Sequence, residues 1–349
     1  MYSHLNFIEP KEAESIDFEE LIELGSSDFT YDSIPLESGQ VQVTDDGTLI
    51  VEGEEHNMLK GAFLGLCKQL RIPDPFAKHI PWDLLKYNID TLSAENKPIQ
   101  LFIRDDGVIA NVASGNFISV PHADLLTALG DGIPAITRGK ISDIGLQIDV
   151  VSPTFDSAKG KFKDITVKKG DITKTGLSFH NSTTGYNFTK AMFLLWRLVC
   201  TNGMTLPATV GMAKLRAKPN RELDISISNF VEQTARLAIN AEVIGANLKG
   251  LDRSLNVAEF SKYWKGLRKV VRDPEHIDEH IFEVDEDQRK IWMAQERGNK
   301  KKPLEIEMEE TSVNGWRMIN NLTDQAKSFD QLTQRKLEAF GGKILMGLN

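Results

Sequence analysis

A series of strand-like segments between residues 98 and 182 restricts the possible folds more than any other feature of the sequence. The segments IQLFIRD and VIANVAS flank the turn Asp105-Asp106-Gly107, which is typical of a β-hairpin. Three further segments have the composition and length of strands: GLQIDVVSP, KFKDITVKK and ITKTGLSFHNS. The segment PHADLLTAL indicates a short inserted helix. Because strands joined by short turns pair in antiparallel fashion, this stretch predicts an antiparallel β-meander.

The apolar run at residues 187–200, NFTKAMFLLWRLVC, predicts a long helix after the meander. Its apolar side chains recur at i, i+4, i+7, i+8 and i+11, namely at Phe188, Met192, Leu195, Trp196 and Val199. Asn202-Gly203 then supplies residues that often end a helix. These patterns predict an α+β fold, in which the long helix packs on the meander and a mainly helical C-terminal region follows.

Composition divides the chain into three regions. Residues 1–55 are acidic and are expected to be weakly ordered, with a short helix from Phe18 to Leu24 and a strand pair formed by QVQV and TLIV. Residues 56–218 are predicted to form the α+β core domain. Residues 219–349 are predicted to form a helical C-terminal domain with a charged insert at 273–310.

The charges are strongly segregated along the chain, although the net charge is only −9. Residues 1–55 hold fifteen acidic residues and a single base, Lys11. Residues 155–218 hold eleven bases and three acids. Salt screens charges beyond about 10 Å, so a remote acidic segment does not cancel a basic face. Two interpretations stay open: the lysines keep an exposed hairpin soluble, or they form a polyanion-binding face.

Missing signals disfavour several classes of protein. Cys67 and Cys200 lie far apart without CxxC spacing, which argues against a disulfide scaffold and is typical of a reducing cytosol. The N-terminal residues do not resemble a secretory signal, and the apolar stretch 191–200 is too short to span a bilayer. We therefore expect a cytoplasmic protein without a membrane partner.

Motifs of catalysis and cofactor binding are also missing. The sequence has no Walker loop, GxGxxG, GxSxG or kinase signature, so we expect no cofactor, although this does not exclude an enzyme. His276 and His280 have the spacing of metal ligands on a helix, but no third ligand accompanies them, and an exposed helix face is the preferred interpretation. Cys200 is interpreted as a small hydrophobe rather than a nucleophile paired with His180.

The segment SFHNSTTGYNFTK, at residues 178–190, is the strongest candidate for ligand binding. It places hydroxyl and amide groups around Gly185 directly before the predicted helix, and a helix N-terminus favours anions such as phosphate. The rings of Tyr186 and Phe188 can stack on unpaired bases. The alternative is that the polar groups form turns and caps while both rings lie in the core.

Two stretches carry recognisable motifs. Residues 170–207 contain a Gly-Asp turn, an Asn-Ser…Gly motif and the sequence Arg-Leu-Val-Cys-Thr-Asn-Gly. Residues 311–345 contain Asn-x-x-Thr-x-x-Ala followed by Leu-Glu-x-x-Gly. In both, the chain resembles a family of phage/plasmid-like proteins grouped as a domain of unknown function. The resemblance implies a phage or mobile-element setting, the cytoplasm of a bacterial host and no known cofactor.

These observations predict a phage-type DNA-metabolism accessory protein that binds single-stranded nucleic acid and assists annealing or recombination. Because annealing proteins generally work as rings or filaments, a homo-oligomer is expected. The residues predicted to contact nucleic acid are Lys159, Lys161, Lys163, Lys168, Lys169, Lys174, Tyr186, Phe188, Lys190, Arg197, Lys214, Arg216 and Lys218.

A protein-binding role is the alternative hypothesis. The chain would then be a non-enzymatic phage assembly or anti-defence factor that binds a host protein through its acidic residues 1–55. A metal-dependent enzyme that uses His276 and His280 is a third and more remote hypothesis.

Overall fold

The architecture is given by a computed structural model. It describes residues 5–347 except for the longer stretches 154–161, 198–201, 206–211, 218–221 and 271–309, and the shorter ones 38–39, 95–96, 131–132, 134–135, 163, 169–170, 216, 238–240 and 330. The predicted insert at 273–310 therefore lies almost entirely outside the described residues.

The helices and strands confirm the α+β class. The strands are β1 (Glu12–Glu14), β2 (Asp32–Leu36), β3 (Gln42–Val43), β4 (Leu49–Val51), β5 (Glu54–His56), β6 (Ile99–Ile103), β7 (Ile109–Ser114), β8 (Ile136–Ser142), β9 (Leu146–Val151), β10 (Ile165–Lys168), β11 (Asp171–Asn181), β12 (Lys190–Arg197), β13 (Asn202–Thr205), β14 (Met212–Lys214), β15 (Ser254–Asn256) and β16 (Glu310–Asn314). The helices are α1 (Phe18–Ser27), α2 (Lys60–Gln69), α3 (Asp74–His79), α4 (Trp82–Ser93), α5 (His122–Leu129), α6 (Leu223–Ala235), α7 (Ala241–Gly250), α8 (Val257–Val270), α9 (Gly315–Gln325) and α10 (Gln331–Leu345). None of the helices within the described ranges is both long and apolar enough to cross a membrane.

The largest sheet has the strand order β1-β8-β9-β11-β12-β13, with β10 beside β11 and β14 beside β12. The pairings of β1 with β8, β10 with β11, and β12 with β13 are antiparallel. Three smaller sheets have the orders β2-β6-β7, β3-β4-β5 and β15-β16.

The chain divides into two compact units that are not consecutive in sequence. The first unit contains Met1–Asp149, Phe179–Ala191 and Lys214–Gln233. The second unit contains Val150–Ser178, Met192–Ala213 and Thr234–Asn349. The chain passes from one unit to the other five times, within strands β9, β11, β12 and β14 and within helix α6, whereas the predicted boundary is a single one between 218 and 219.

The predicted hairpins are present in the structure. Strands β6 and β7 pair antiparallel around the turn at Asp105-Asp106-Gly107, where Gly107 has φ +79°. Strands β3 and β4 pair as predicted from QVQV and TLIV. In both cases the turn and the two strands are adjacent in the sequence, so the local order of residues is sufficient to specify the pairing.

The predicted helix at 187–200 is wrong, because residues Lys190–Arg197 form strand β12. Side chains on both faces of this strand are buried, including Met192 and Phe193, which are neighbours in sequence. A strand buried on both faces needs an almost continuous apolar run, and such a run also satisfies a helical period. No long helix therefore packs on the meander at this position.

The acidic residues 1–55 contain helix α1 and several strands, whereas their composition predicts weak order. Asp17 begins helix α1 by accepting hydrogen bonds from the backbone N–H groups of Glu19 and Glu20, at 2.9 and 3.1 Å. Leu21 of this helix is fully buried. Strand β1 pairs with β8, where Lys140 forms ion pairs with Glu12 and Glu14. A few well-spaced apolar residues, and not the overall composition, therefore decide the structure of this segment.

The core of the first unit lies around helix α2. Phe63 is fully buried there, and its ring centroid lies 5.5 Å from that of Phe7 and 6.0 Å from that of Trp82. Gly65 lies so close to β7 that a Cβ atom would approach the carbonyl oxygen of Val112 within 2.9 Å. This contact holds α2 against the β6–β7 hairpin.

Candidate nucleic-acid interface

An exposed aromatic ring beside a lysine is the main feature of the candidate site in the first unit. Phe188 is 70% exposed, which is unusual for a phenylalanine. The Nζ atom of Lys214 lies 5.0 Å from the centroid of this ring, within the range of a cation–π interaction. The site therefore combines an accessible aromatic surface with a positive charge.

Backbone pairing holds the two side chains together. Strand β14, which ends at Lys214, pairs with β12, which begins two residues after Phe188. The backbone N–H of Leu215 also donates to the carbonyl oxygen of Thr189 at 3.0 Å. The Phe188–Lys214 contact therefore depends on fixed backbone positions as well as on the flexible lysine side chain.

Lys190 is a second basic residue, two positions after Phe188 in the chain. Thr189 is buried and donates a hydrogen bond to the side-chain oxygen of Asn181 at 2.5 Å. Lys190 is partly exposed.

The loop before Phe188 is fixed by its own polar side chains. The amide nitrogen of Asn181 donates to the carbonyl oxygen of Val120 at 2.8 Å and lies 3.0 Å from Nδ1 of His122. Since this amide group donates on both sides, the Nδ1 atom of His122 is the acceptor. Thr183 also donates to the carbonyl of Val120, at 3.2 Å. The hydroxyl and amide groups therefore support the loop.

This arrangement corrects the predicted anion site in the segment 178–190. The helix whose N-terminus would favour phosphate is strand β12, so its partial positive charge does not exist. The local donors Asn181 and Thr183 already bond to backbone oxygens within the unit. Turn formation, the alternative interpretation of this segment, describes these two side chains better.

Tyr186 does not have the exposed ring that base stacking requires. Its hydroxyl donates to the carbonyl oxygen of Ala110 at 2.8 Å, and its ring lies against Gly61, where any added side chain would overlap it. Burial, and secondarily the charge of Asp143, raises the pKa of this phenol well above its usual range. The structure therefore leaves Phe188 as the accessible ring of the predicted pair.

The other predicted contact residues are distributed as follows. Lys174 is partly exposed on β11 and belongs to the second unit, apart from Phe188, Lys190 and Lys214 of the first. Lys168 ends β10 and Arg197 ends β12, and the structure describes only their backbone. The predicted residues that lie outside the described ranges are Lys159, Lys161, Lys163, Lys169, Arg216 and Lys218, together with His276, His280 and Cys200.

Sequence analysis missed a buried ionic network in the first unit. Arg104 donates to Asp143 at 2.8 Å and forms a two-point contact with Asp106 at 2.7 and 3.0 Å. Asp143 also accepts hydrogen bonds from the backbone N–H of Lys11 at 2.7 Å and from the Tyr31 hydroxyl at 3.1 Å. The one available signal was an arginine at the end of an otherwise apolar strand segment, IQLFIRD.

Electrostatics within this network favour the charged form of Arg104. Burial alone would lower the pKa of the guanidinium, but the hydrogen bonds and charges of Asp106 and Asp143 raise its pKa overall. Asp106 has a lowered pKa, mainly because Arg104 donates to its carboxylate. The residues of the network lie just before β1 and β2 and just after β6 and β8, so the network connects the ends of four strands.

Comparisons with protein-family models, with curated proteins and with solved structures find no match to this chain. The resemblance to phage/plasmid-like proteins therefore stays a prediction from the motifs. Any functional conclusion rests on the geometry of the chain itself.

Proposed function

We propose that the protein binds single-stranded nucleic acid at Phe188, Lys190 and Lys214, as a phage-type accessory factor in DNA annealing or recombination. The observation that carries the proposal is the exposed Phe188 ring with the Lys214 ammonium group 5.0 Å from its centroid. An aromatic surface and an adjacent cation are the two components with which proteins hold unpaired nucleotides.

The chemistry of the two groups suits a nucleotide. Stacking of a base on an aromatic side chain contributes about 1–3 kcal/mol, and it depends little on which base is present. Lys214 and Lys190 would contact the phosphates on either side of the stacked base. The bases of a duplex are already stacked on one another, so Phe188 selects for unpaired strands.

Binding of a labelled oligonucleotide to single-residue variants tests this proposal. Phe188→Ala should weaken binding of a single strand about tenfold, in line with the loss of one stacked base. Tyr87→Ala is a matched control, because Tyr87 is a comparably exposed aromatic residue on α4 of the same unit. Equal affinity of Phe188→Ala and the wild type would contradict the proposal.

The salt dependence of the same binding tests the role of the lysines. Each phosphate contact contributes about 0.7 to the slope of log K against log salt for a single strand. Lys214→Gln should therefore give a shallower slope than the wild type. A slope that stays unchanged in this variant would remove Lys214 from the site.

A protein-binding role is the second candidate, and the acidic surface of helix α1 favours it. Glu19 and Glu23 lie one turn apart on this helix, and both are exposed. They would contact a basic patch on a host or phage protein. Capture of one host protein that resists nuclease treatment and is lost with Glu19→Lys/Glu23→Lys would support this role over nucleic-acid binding.

A further inference from the structure

Helices α8 and α10 of the second unit pack closely around Gly266 and Phe340. A Cβ atom at position 266 would lie 2.7 Å from the Phe340 ring, so only glycine permits this approach. Lys262, one turn before Gly266, donates to the carbonyl oxygen of Gly347, just after α10, at 3.3 Å. Gly266, the later of the two residues on α8, contacts Phe340, whereas the earlier residue Lys262 contacts Gly347, which follows Phe340 in the chain. The two helices therefore run antiparallel.

Four exposed lysines surround this crossing. On α10, Lys336 and Lys343 lie about one turn before and one turn after Phe340, on the same face and about 10 Å apart along the axis. On α8, Lys262 and Lys265 are neighbours at i and i+3, and both are exposed. We call these four residues the crossing lysines: Lys262, Lys265, Lys336 and Lys343.

The acids described on these two helices offset only part of the positive charge of the crossing lysines, since Glu259 interacts with Lys262 alone among them. Glu259 of α8 is bound by Arg253 at 2.6 and 2.9 Å, and that hydrogen bonding lowers its pKa. Glu338 of α10 is buried, with only 1% of its surface exposed. The described acids of α8 and α10 are therefore bound by Arg253 or buried, so the exposed charge described on these two helices is mainly positive.

We propose that the crossing lysines bind the phosphate backbone of duplex nucleic acid. The aromatic side chains described on the two helices, Phe260, Tyr263 and Phe340, are all buried and cannot stack on a base. A site with ammonium groups and without an accessible ring recognises phosphates and does not require unpaired bases.

This inference rests on the proposed function in one respect, because both take nucleic acid as the ligand. It adds a second kind of contact, in the second unit, that accepts the paired product of annealing. The unpaired substrate would require Phe188 in the first unit, whereas the duplex would require the crossing lysines. The two contacts can therefore be tested separately.

A triple variant, Lys265→Gln/Lys336→Gln/Lys343→Gln, tests the proposal on a duplex oligonucleotide. Lys262 is retained because it holds the carbonyl of Gly347. The control variant Lys60→Gln/Lys68→Gln/Lys97→Gln removes the same charge from exposed lysines of the first unit. The crossing variant should lose more than about tenfold in affinity at ~50 mM salt, and its salt slope should fall by about 2–3.

The outcomes separate the two hypotheses. An equal loss in both triple variants would indicate a general charge effect and overturn the crossing site, as would unchanged duplex binding in the crossing variant. If the wild type binds single strands through Phe188 but does not bind duplex, the crossing site fails and the proposed function stands. If duplex binding depends on the crossing lysines while Phe188→Ala leaves single-strand binding unchanged, the proposed function fails alone.

Discussion

The guanidinium of Arg104 and the carboxylate of Asp143 form an ion pair that is almost completely removed from solvent. Their exposed fractions are 5% and 1%, and the two atoms in contact are 2.8 Å apart. A buried ion pair contributes little relative to apolar side chains of similar size, but the loss of one partner leaves a costly unpaired charge. The pair therefore makes the first unit dependent on both residues.

Substitution of Arg104 by methionine should strongly destabilise the protein. Asp143 would lose its ionic partner while remaining buried, which costs about 3–5 kcal/mol in comparable cases. The free energy of unfolding from a urea titration measures the effect. Lys97→Met, at an exposed lysine of the same unit, should change that free energy by less than about 0.5 kcal/mol. Similar values for the two variants would contradict the role assigned to the network.

Stability should fall at alkaline pH because of two buried phenols. Burial and the charge of Asp143 raise the folded-state pKa values of Tyr31 and Tyr186 above the ordinary value of 10.0. Their stabilising contribution is complete below pH 10 and is lost as pH rises, because the unfolded chain then releases protons that the folded chain retains. Each phenol should contribute up to about 1.4 kcal/mol per pH unit in that range.

The variant Tyr31→Phe/Tyr186→Phe should be less stable at neutral pH, because two hydrogen bonds are lost. Its stability should nevertheless decline less steeply above pH 10 than that of the wild type. Urea titrations at several alkaline pH values measure this slope, with Tyr87→Phe as the exposed control. An equally steep decline in the double variant would exclude the two phenols as its cause.

A strand at Lys190–Arg197 and a helix at 187–200 predict opposite stability costs for substitutions at Phe188 and Phe193. In the structure Phe188 is exposed and Phe193 is fully buried. Phe193→Ala should therefore cost about 3–5 kcal/mol of stability, whereas Phe188→Ala should cost less than about 1 kcal/mol. A helix that uses Phe188 in its apolar stripe would give a large cost at Phe188 instead. Denaturant titration of both variants decides between the two structures.

Deletion of residues 1–55 should unfold the first unit. The deletion removes buried side chains, including Leu21 and Leu49, and it also removes strand β1 from the edge of β8. Glu12→Gln/Glu14→Gln, which removes only the surface ion pairs with Lys140, should cost less than about 1 kcal/mol. Circular dichroism and thermal melting compare the two variants. A well-folded deletion variant would show that the acidic segment is dispensable for folding.

Local patterns in the sequence were sufficient to predict part of the fold. The β6–β7 hairpin follows from Asp105-Asp106-Gly107, because turn geometry selects those residues and the pairing needs no distant contact. Strand β12 was mistaken for a helix because its apolar residues satisfy both periods. Distinguishing the two requires knowledge of the partner strands β11, β13 and β14, which supply the backbone hydrogen bonds that a helix would make within its own segment.

The candidate site could be predicted only in part for the same reason. Phe188 and Tyr186 are two residues apart and look equivalent in the sequence. Tyr186 is only partly exposed, because its hydroxyl reaches Ala110 and its ring reaches Gly61, both of which are distant along the chain. Lys214 reaches Phe188 through the pairing of β14 with β12. Such long-range pairings are a property of the folded chain.

The interleaved order of segments in the two units has a practical consequence for dissecting this protein. Each unit is assembled from three separate stretches of the polypeptide. A protease that cuts at a single site cannot release either unit intact, and no single truncation can express the whole of one unit without keeping part of the other. Functional mapping must therefore use point substitutions in the undivided chain.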